Sequence, residues 1–216
     1  MSKFPQMTLK QSFIQTASRY SSDMTLVESC WNEIETCYCE PHRFYHNLSH
    51  LETLHALLSE TKILPADRDC ILFTMFYHDV VYDVSKNDNE EQSALLAEKR
   101  LREIGFPEQR IASCKSQILA TKGHSQSEDP DTNLFTDADL SILGQAENVY
   151  EEYYKNIRRE YSIYAYDQYL LGRKKVLEYF LGLERIYKTE KFFRRFETQA
   201  RKNLSGELNE IKKALR

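Results

Sequence analysis

Apolar residues return every three or four positions along most of this chain, the spacing of a helix buried on one side. Leu26, Cys30, Ile34 and Cys37 step by four, four and three and predict one such stripe. Pro41 interrupts the pattern, after which Leu48, Leu51, Leu54 and Leu58 share a face of the next helix. A third segment opens on Pro65 and Asp67, both helix-start residues. It turns apolar on nearly all sides from Ile71 to Phe76, which predicts the central helix of a bundle. Residues 87–105 are amphipathic, with Asn87 or Asp88 as cap and Gly105 as stop. A further amphipathic segment follows Pro107 and ends near Gly123, and the polar stretch SQSEDPDTN (125–133) predicts a loop. Helical spacing resumes at Leu134, and two more helices, roughly 163–182 and 189–214, are expected beyond it. There is no period-2 run, internal repeat, glycine-rich phosphate loop or linker, so one all-α domain over 1–216 is expected.

Composition sharpens that expectation. Six glycines and five prolines in 216 residues leave few breaks, which favours long helices. A chain of this length buries about 70% of its unfolded surface, enough for a sizeable core. A net charge of −4 gives no generic electrostatic reason to bind nucleic acid. The five cysteines are odd in number, and Cys37 and Cys39 have one residue between them, unlike the two of a zinc or redox pair. Free thiols in a reducing cytoplasm are therefore expected. The first residues lack the apolar core of a signal peptide, and no run approaches the ~18 apolar residues of a membrane span. Assembly into a homo-oligomer is left open.

Candidate chemistry lies in the six histidines, four of which (His42, His46, His50, His55) fall between residues 42 and 55. His46 and His50, at i and i+4, would face the same way on a helix. His78 and Asp79 are adjacent near the end of the most apolar helix, where burying such a pair is costly unless a charge compensates it. Neighbours on a helix diverge by about 100°, so both can reach one ion from adjacent angles. Asp137 and Asp139 are about 200° apart on a helix. Asp139 is in phase with Ile142, Leu143 and Ala146 and is the better ligand, whereas Asp137 suits an N-cap. Two histidines and two aspartates form a mixed nitrogen and oxygen set, suited to an open Fe, Mn, Zn, Ni, Co or Mg centre rather than a closed cysteine site.

The order H…HD…D on successive helices resembles the HD-domain superfamily of metal-dependent phosphohydrolases. YHNLSH (45–50) and ADLS (138–141) resemble segments of cyclic-nucleotide phosphodiesterases within that superfamily. RFYHNLSHL, FYHDVVYD, NDNEEQSA, ILATKGH, TDADLSILG and IRREYS together are similar to a bacterial family of HD-type phosphohydrolases, over most of residues 26–205. The resemblance implies an HD-type helical bundle with one or two divalent metal ions between its central helices. His50, His78, Asp79 and Asp139 would be ligands, with Asp79 the bridge if two ions bind, and His46 would protonate the leaving group. It implies hydrolysis of a small phosphorylated substrate, such as a nucleotide, by metal-activated water. No counterpart of the purine clamp of the phosphodiesterases is evident. A non-catalytic nucleotide-sensing or partner-docking module and a di-iron oxygenase are the alternatives.

Other residues carry two readings each. His124 is a further ligand, a phosphate contact or an exposed loop residue, and Lys122 a phosphate contact or a solvated lysine. Glu90 and Glu91 either orient site groups or complement a helix dipole. Asp83, one helical turn beyond Asp79, could likewise support the site. Arg43, Arg158 and Arg159 offer phosphate forks or ordinary salt bridges. His55 reads as a neutral edge-of-core or surface histidine, and His42 as a bystander.

Overall fold

The apolar run at 71–76 becomes the central element. The structure, a computed structural model, describes residues 7–60 and 65–216, and among these it contains ten α-helices and no strand. They are α1 (Leu9–Ala17), α2 (Met24–Tyr38), α3 (Leu48–Glu60), α4 (Arg68–Tyr77), α5 (Asn89–Glu103), α6 (Glu108–Ala120), α7 (Pro130–Asp139), α8 (Glu147–Glu160), α9 (Tyr166–Gly182) and α10 (Glu190–Ala214). Short 3-10 turns at Leu140–Gly144 and Tyr161–Ile163 follow α7 and α8. Every residue of α4 from Asp69 to Tyr77 is buried, and α1, α3, α5, α6 and α7 pack around it. Asp67 caps α4 by accepting the Cys70 N–H, as its position predicts. Phe13, Trp31 and Phe76 meet edge to face or tilted at centroid distances of 5.3–6.1 Å, favoured aromatic geometry.

Several expected boundaries move for identifiable reasons. The buried stripe of α2 is Val27, Cys30, Trp31, Ile34 and Tyr38, with Leu26 and Cys37 at its edges, so the larger aromatic residues set the inward face. Helix α1 was not anticipated, although Thr8 and Gln11 form a reciprocal capping box at its start. The predicted loop at 125–133 ends early. Asp129 accepts the N–H groups of Asp131 and Thr132, and Pro130 enters the first turn of α7. Gly105 does close α5, at φ 81° with the Phe106 N–H bonded to the Leu101 carbonyl.

Asp137 is not the N-cap of its own helix. It is fully buried within α7 and reaches across the fold, accepting the Lys188 N–H (2.9 Å), the Thr189 N–H (2.7 Å) and the Thr189 hydroxyl (2.8 Å). It thus satisfies donors at the entry of α10, fifty residues away in sequence. Helix α10 also grips the 3-10 turn. Asn203 donates to the carbonyls of Leu143 and Gln145, both at 2.8 Å, and the Tyr187 hydroxyl donates to that of Leu140. These bonds fix the C-terminal end of α7, where Asp139 sits.

The five cysteines are free thiols, and among the described residues no helix is long and apolar enough to cross a membrane. Gly144 lets α10 approach the 3-10 turn. A Cβ there would lie 2.5 Å from the Phe196 Cβ and 2.7 Å from its carbonyl oxygen. Gly144→Ala is expected to cost about 1–3 kcal/mol of stability, as overpacking typically does, measured by urea unfolding. An unchanged midpoint would show that α10 does not hold this turn closely.

Candidate metal centre

Four helix ends and one turn deliver the site. Helix α4 stops at Tyr77, and His78 is its C-cap, with its N–H on the Thr74 carbonyl (2.9 Å). Its Nδ1 lies 2.9 Å from the Met75 carbonyl oxygen. A carbonyl only accepts, so Nδ1 carries the hydrogen and Nε2 presents a lone pair. That Nε2 is 3.2 Å from His50 Nε2, 3.1 Å from Asp79 Oδ2 and 3.7 Å from Asp139 Oδ1. His50, in the first turn of α3, has its Nε2 3.2 Å from the same Asp139 oxygen. The second Asp139 oxygen lies 2.9 Å from His124 Nε2. His124 follows α6 with φ 49°, closing its end through an N–H bond to the Ala120 carbonyl. His50 and His78 are buried, and Asp139 and Asp79 are nearly so.

Two imidazole nitrogens and a carboxylate oxygen facing one another at 3.2, 3.2 and 3.7 Å need something positive between them. Ligand bonds of about 2.0–2.2 Å to one cation place neighbouring donor atoms roughly 3.0–3.6 Å apart. His50, His78 and Asp139 therefore form a group able to bind a metal ion, and the mixed donor set suits a borderline divalent ion. The electrostatics agree. Burial raises Asp139, but bonds from His124, His50 and His78 outweigh it and hold the carboxyl well below its ordinary range. Burial likewise opposes ionisation of Asp79, yet the neighbouring His78 charge keeps it ionised. The two histidines separate: burial lowers His50, while at His78 the Asp79 and Asp139 carboxylates overcome burial and raise it well above the usual value.

His46 reaches this site by a different route from the one its spacing predicts. It lies before α3, in a bend, and does not share a helix face with His50. The bend is held by Glu160, at the end of α8. One Glu160 oxygen accepts the N–H groups of Phe44 (2.8 Å), Tyr45 (2.7 Å) and His46 (2.9 Å). The other lies 2.8 Å from His46 Nδ1 and accepts the Tyr82 hydroxyl at 2.8 Å. Burial works against charge on both partners, but their mutual bond prevails, raising His46 and bringing Glu160 down to about 2. The Nδ1 of His46 is thereby committed to Glu160, which favours the charged imidazole, and its ring centroid lies 6.0 Å from that of His50. Glu160 is the functional-type residue that the sequence reading passed over.

Other candidates are engaged elsewhere. The Arg43 guanidinium is buried and donates to Glu40 and to the carbonyls of Asp79 (2.6 Å) and Val80 (3.0 Å), so it shapes the turn carrying Asp79. Arg158 caps α8 through the Tyr161 and Tyr164 carbonyls, and Arg159 stacks on Phe44. Lys122 pairs with Glu91 (2.6 Å), near Glu90 (3.8 Å), and holds the Asn87 carbonyl, which ties α5 to the segment before His124. Asp83 lies past the end of α4, not a helical turn beyond Asp79, and folds onto Ser85. His42 is exposed. His55 is buried, with Nε2 3.0 Å from the Ser12 hydroxyl.

Metal addition is expected to raise the melting temperature of chelator-treated protein, by about 2.7 kcal/mol of linkage at a hundredfold excess over Kd, and Asp139→Asn to abolish the rise. A second expectation concerns His55, which burial depresses below its ordinary 6.5. A proton then binds the unfolded chain more readily than the folded one. Its contribution to stability is full above about pH 6.5 and falls as pH drops below that value. Denaturant unfolding at pH 7.5 and 5.5 should show a smaller loss in His55→Gln than in wild type; equal losses would contradict it. No family model, curated protein or solved structure matches this chain.

Proposed function

We propose that the protein is a metal-dependent phosphohydrolase acting on a small phosphate ester, with a nucleotide or related phosphorylated metabolite as the class to test first. The observation that carries the reading is the convergence of the His50 and His78 imidazoles and the Asp139 carboxylate near a histidine, His46, bonded to the buried Glu160 carboxylate. Asp79 and His124 extend the donor set, so one or two divalent ions (Mn, Fe, Ni, Zn, Co or Mg) fit its chemistry. A bound divalent ion would supply Lewis-acid polarisation of the phosphoryl group and acidify water.

The chain's own groups then have separate tasks. His50, His78, Asp79 and Asp139 hold the ion, and the Met75 carbonyl fixes the His78 tautomer. As the water oxygen bonds to phosphorus, the P–O bond to the alcohol breaks and its electron pair leaves on the alcohol oxygen. That oxygen takes a proton from His46, the water proton passes to solvent, and solvent recharges the imidazole. Glu160 fixes the orientation of His46 and favours its charged form. The resemblance to HD-type phosphohydrolases supports the same division of roles.

A panel of phosphate esters, assayed with each metal, tests the reading. Turnover should disappear in Asp79→Ala, and His46→Gln should lose roughly 10²–10⁴-fold in kcat, the usual worth of a general acid. Ligand binding without turnover in any metal-loaded sample would instead indicate a sensing module. The pH profile offers a separate check. His46 is active when protonated, so activity should fall as pH rises through its elevated value. Glu160→Gln removes the main support for that charge and should move the alkaline limb to lower pH. An unmoved limb would assign the ionisation to another group.

A further inference from the structure

A cavity of about 140 Å³ opens beside the metal group and shares Asp139 with it, with His46 and His124 also in its wall. A phosphate held at the metal group would have its ester oxygen directed toward this space or toward solvent. Most of the remaining wall is apolar, built from the 3-10 turn (Leu140, Leu143), α9 (Val176, Leu177, Phe180) and α10 (Leu204), with the tyrosines Tyr45 and Tyr153 completing it. Among the described residues, the one lysine or arginine lining it, Arg173, is already neutralised. Its guanidinium makes two bonds to Glu207, at 2.8 and 2.9 Å, and further bonds to the Tyr153 and Tyr150 hydroxyls. His46 is paired with Glu160 and His124 with Asp139. Among the described residues no lysine or arginine charge in the cavity is left to meet a second anion, and burying one unpaired is expensive. In size the space matches an apolar cavity of about 150 Å³ that admits one benzene ring.

We propose that the organic part of the substrate is a compact, uncharged, mostly apolar group of about one six-membered ring, seated in this cavity as the alcohol of the ester. The inference rests on the phosphohydrolase reading and narrows it. Monoesters of aromatic, heteroaromatic or short branched alcohols are favoured, and compounds needing a second phosphate or a carboxylate in the cavity are excluded. A pyrimidine-sized base fits, whereas a complete nucleoside would have to leave its sugar or base outside.

Phenylphosphonate and methylphosphonate, which resist hydrolysis, provide the test by calorimetric titration into metal-loaded protein. Wild type is expected to bind phenylphosphonate at least tenfold more tightly than methylphosphonate, and 4-carboxyphenylphosphonate no better than the methyl compound. Val176 is partly exposed at the cavity, so Val176→Trp should fold, fill the space and erase the preference for the phenyl over the methyl compound. Val176→Ala, which cannot fail by crowding, should improve binding of 1-naphthylphosphonate. Equal affinity for the phenyl and methyl compounds in wild type, or tight binding of the carboxylate, overturns the cavity assignment and leaves the phosphohydrolase reading standing. If neither phosphonate binds, yet benzyl alcohol perturbs the Phe180 and Leu177 resonances in wild type and not in Val176→Trp, the cavity is a ring site and the phosphohydrolase reading fails.

Discussion

Two buried imidazole nitrogens, His50 Nε2 and His78 Nε2, face each other at 3.2 Å with the Asp139 carboxylate against both. Lone pairs and carboxylates cannot be desolvated together without a compensating positive charge. That constraint explains why so many separate elements end at one place. Helix α4 ends so that His78 can turn its Nε2 inward, α7 ends at Asp139, and α6 ends in the left-handed turn that carries His124. Helix ends carry unsatisfied backbone groups, and here each is closed locally before its side chain is presented.

The same economy of backbone bonds appears around the site. Asp137, two residues from Asp139, uses both oxygens at the entry to α10. Glu160 spends one oxygen on three successive N–H groups of the bend before α3 and the other on His46 and Tyr82. Arg43 holds the carbonyls of the Asp79 turn. These charged side chains, of which only Arg43 reads as a phosphate contact in the sequence, thus serve as braces for the loops around the candidate metal group. Rigid support of this kind keeps a site close to its working geometry.

The helical architecture and the grouping of His50, His78 and Asp139 were legible in the sequence for different reasons. Helix α4 declared itself through an apolar surface on every side, and α10 through an unbroken 25-residue amphipathic pattern. Asp139 was chosen by phase with Ile142 and Leu143, although α7 ends there and the next turn is 3-10. The inward direction was right because one turn of either helix carries a side chain around to nearly the same face. His46 was misplaced because i, i+4 spacing implies a shared face only if a helix covers both, and the Glu160 bonds replace the helix there. Glu160 itself was signalled by its register. It follows Tyr150, Tyr153 and Ile157 at steps of three, four and three, an acid on a buried stripe. Reading that position as a buried carboxylate in need of donors would have found the brace of His46.

The central claim is that the charge demanded by His50, His78 and Asp139 comes from a metal ion. X-ray absorption at the edge of the metal found in protein purified without chelator tests it most directly. The account predicts a nitrogen and oxygen shell at about 2.0–2.2 Å with imidazole scattering from two or more histidines, reduced by one histidine in His50→Ala. Protein that carries no metal after growth and purification with every candidate ion, or a shell containing sulfur, would contradict it.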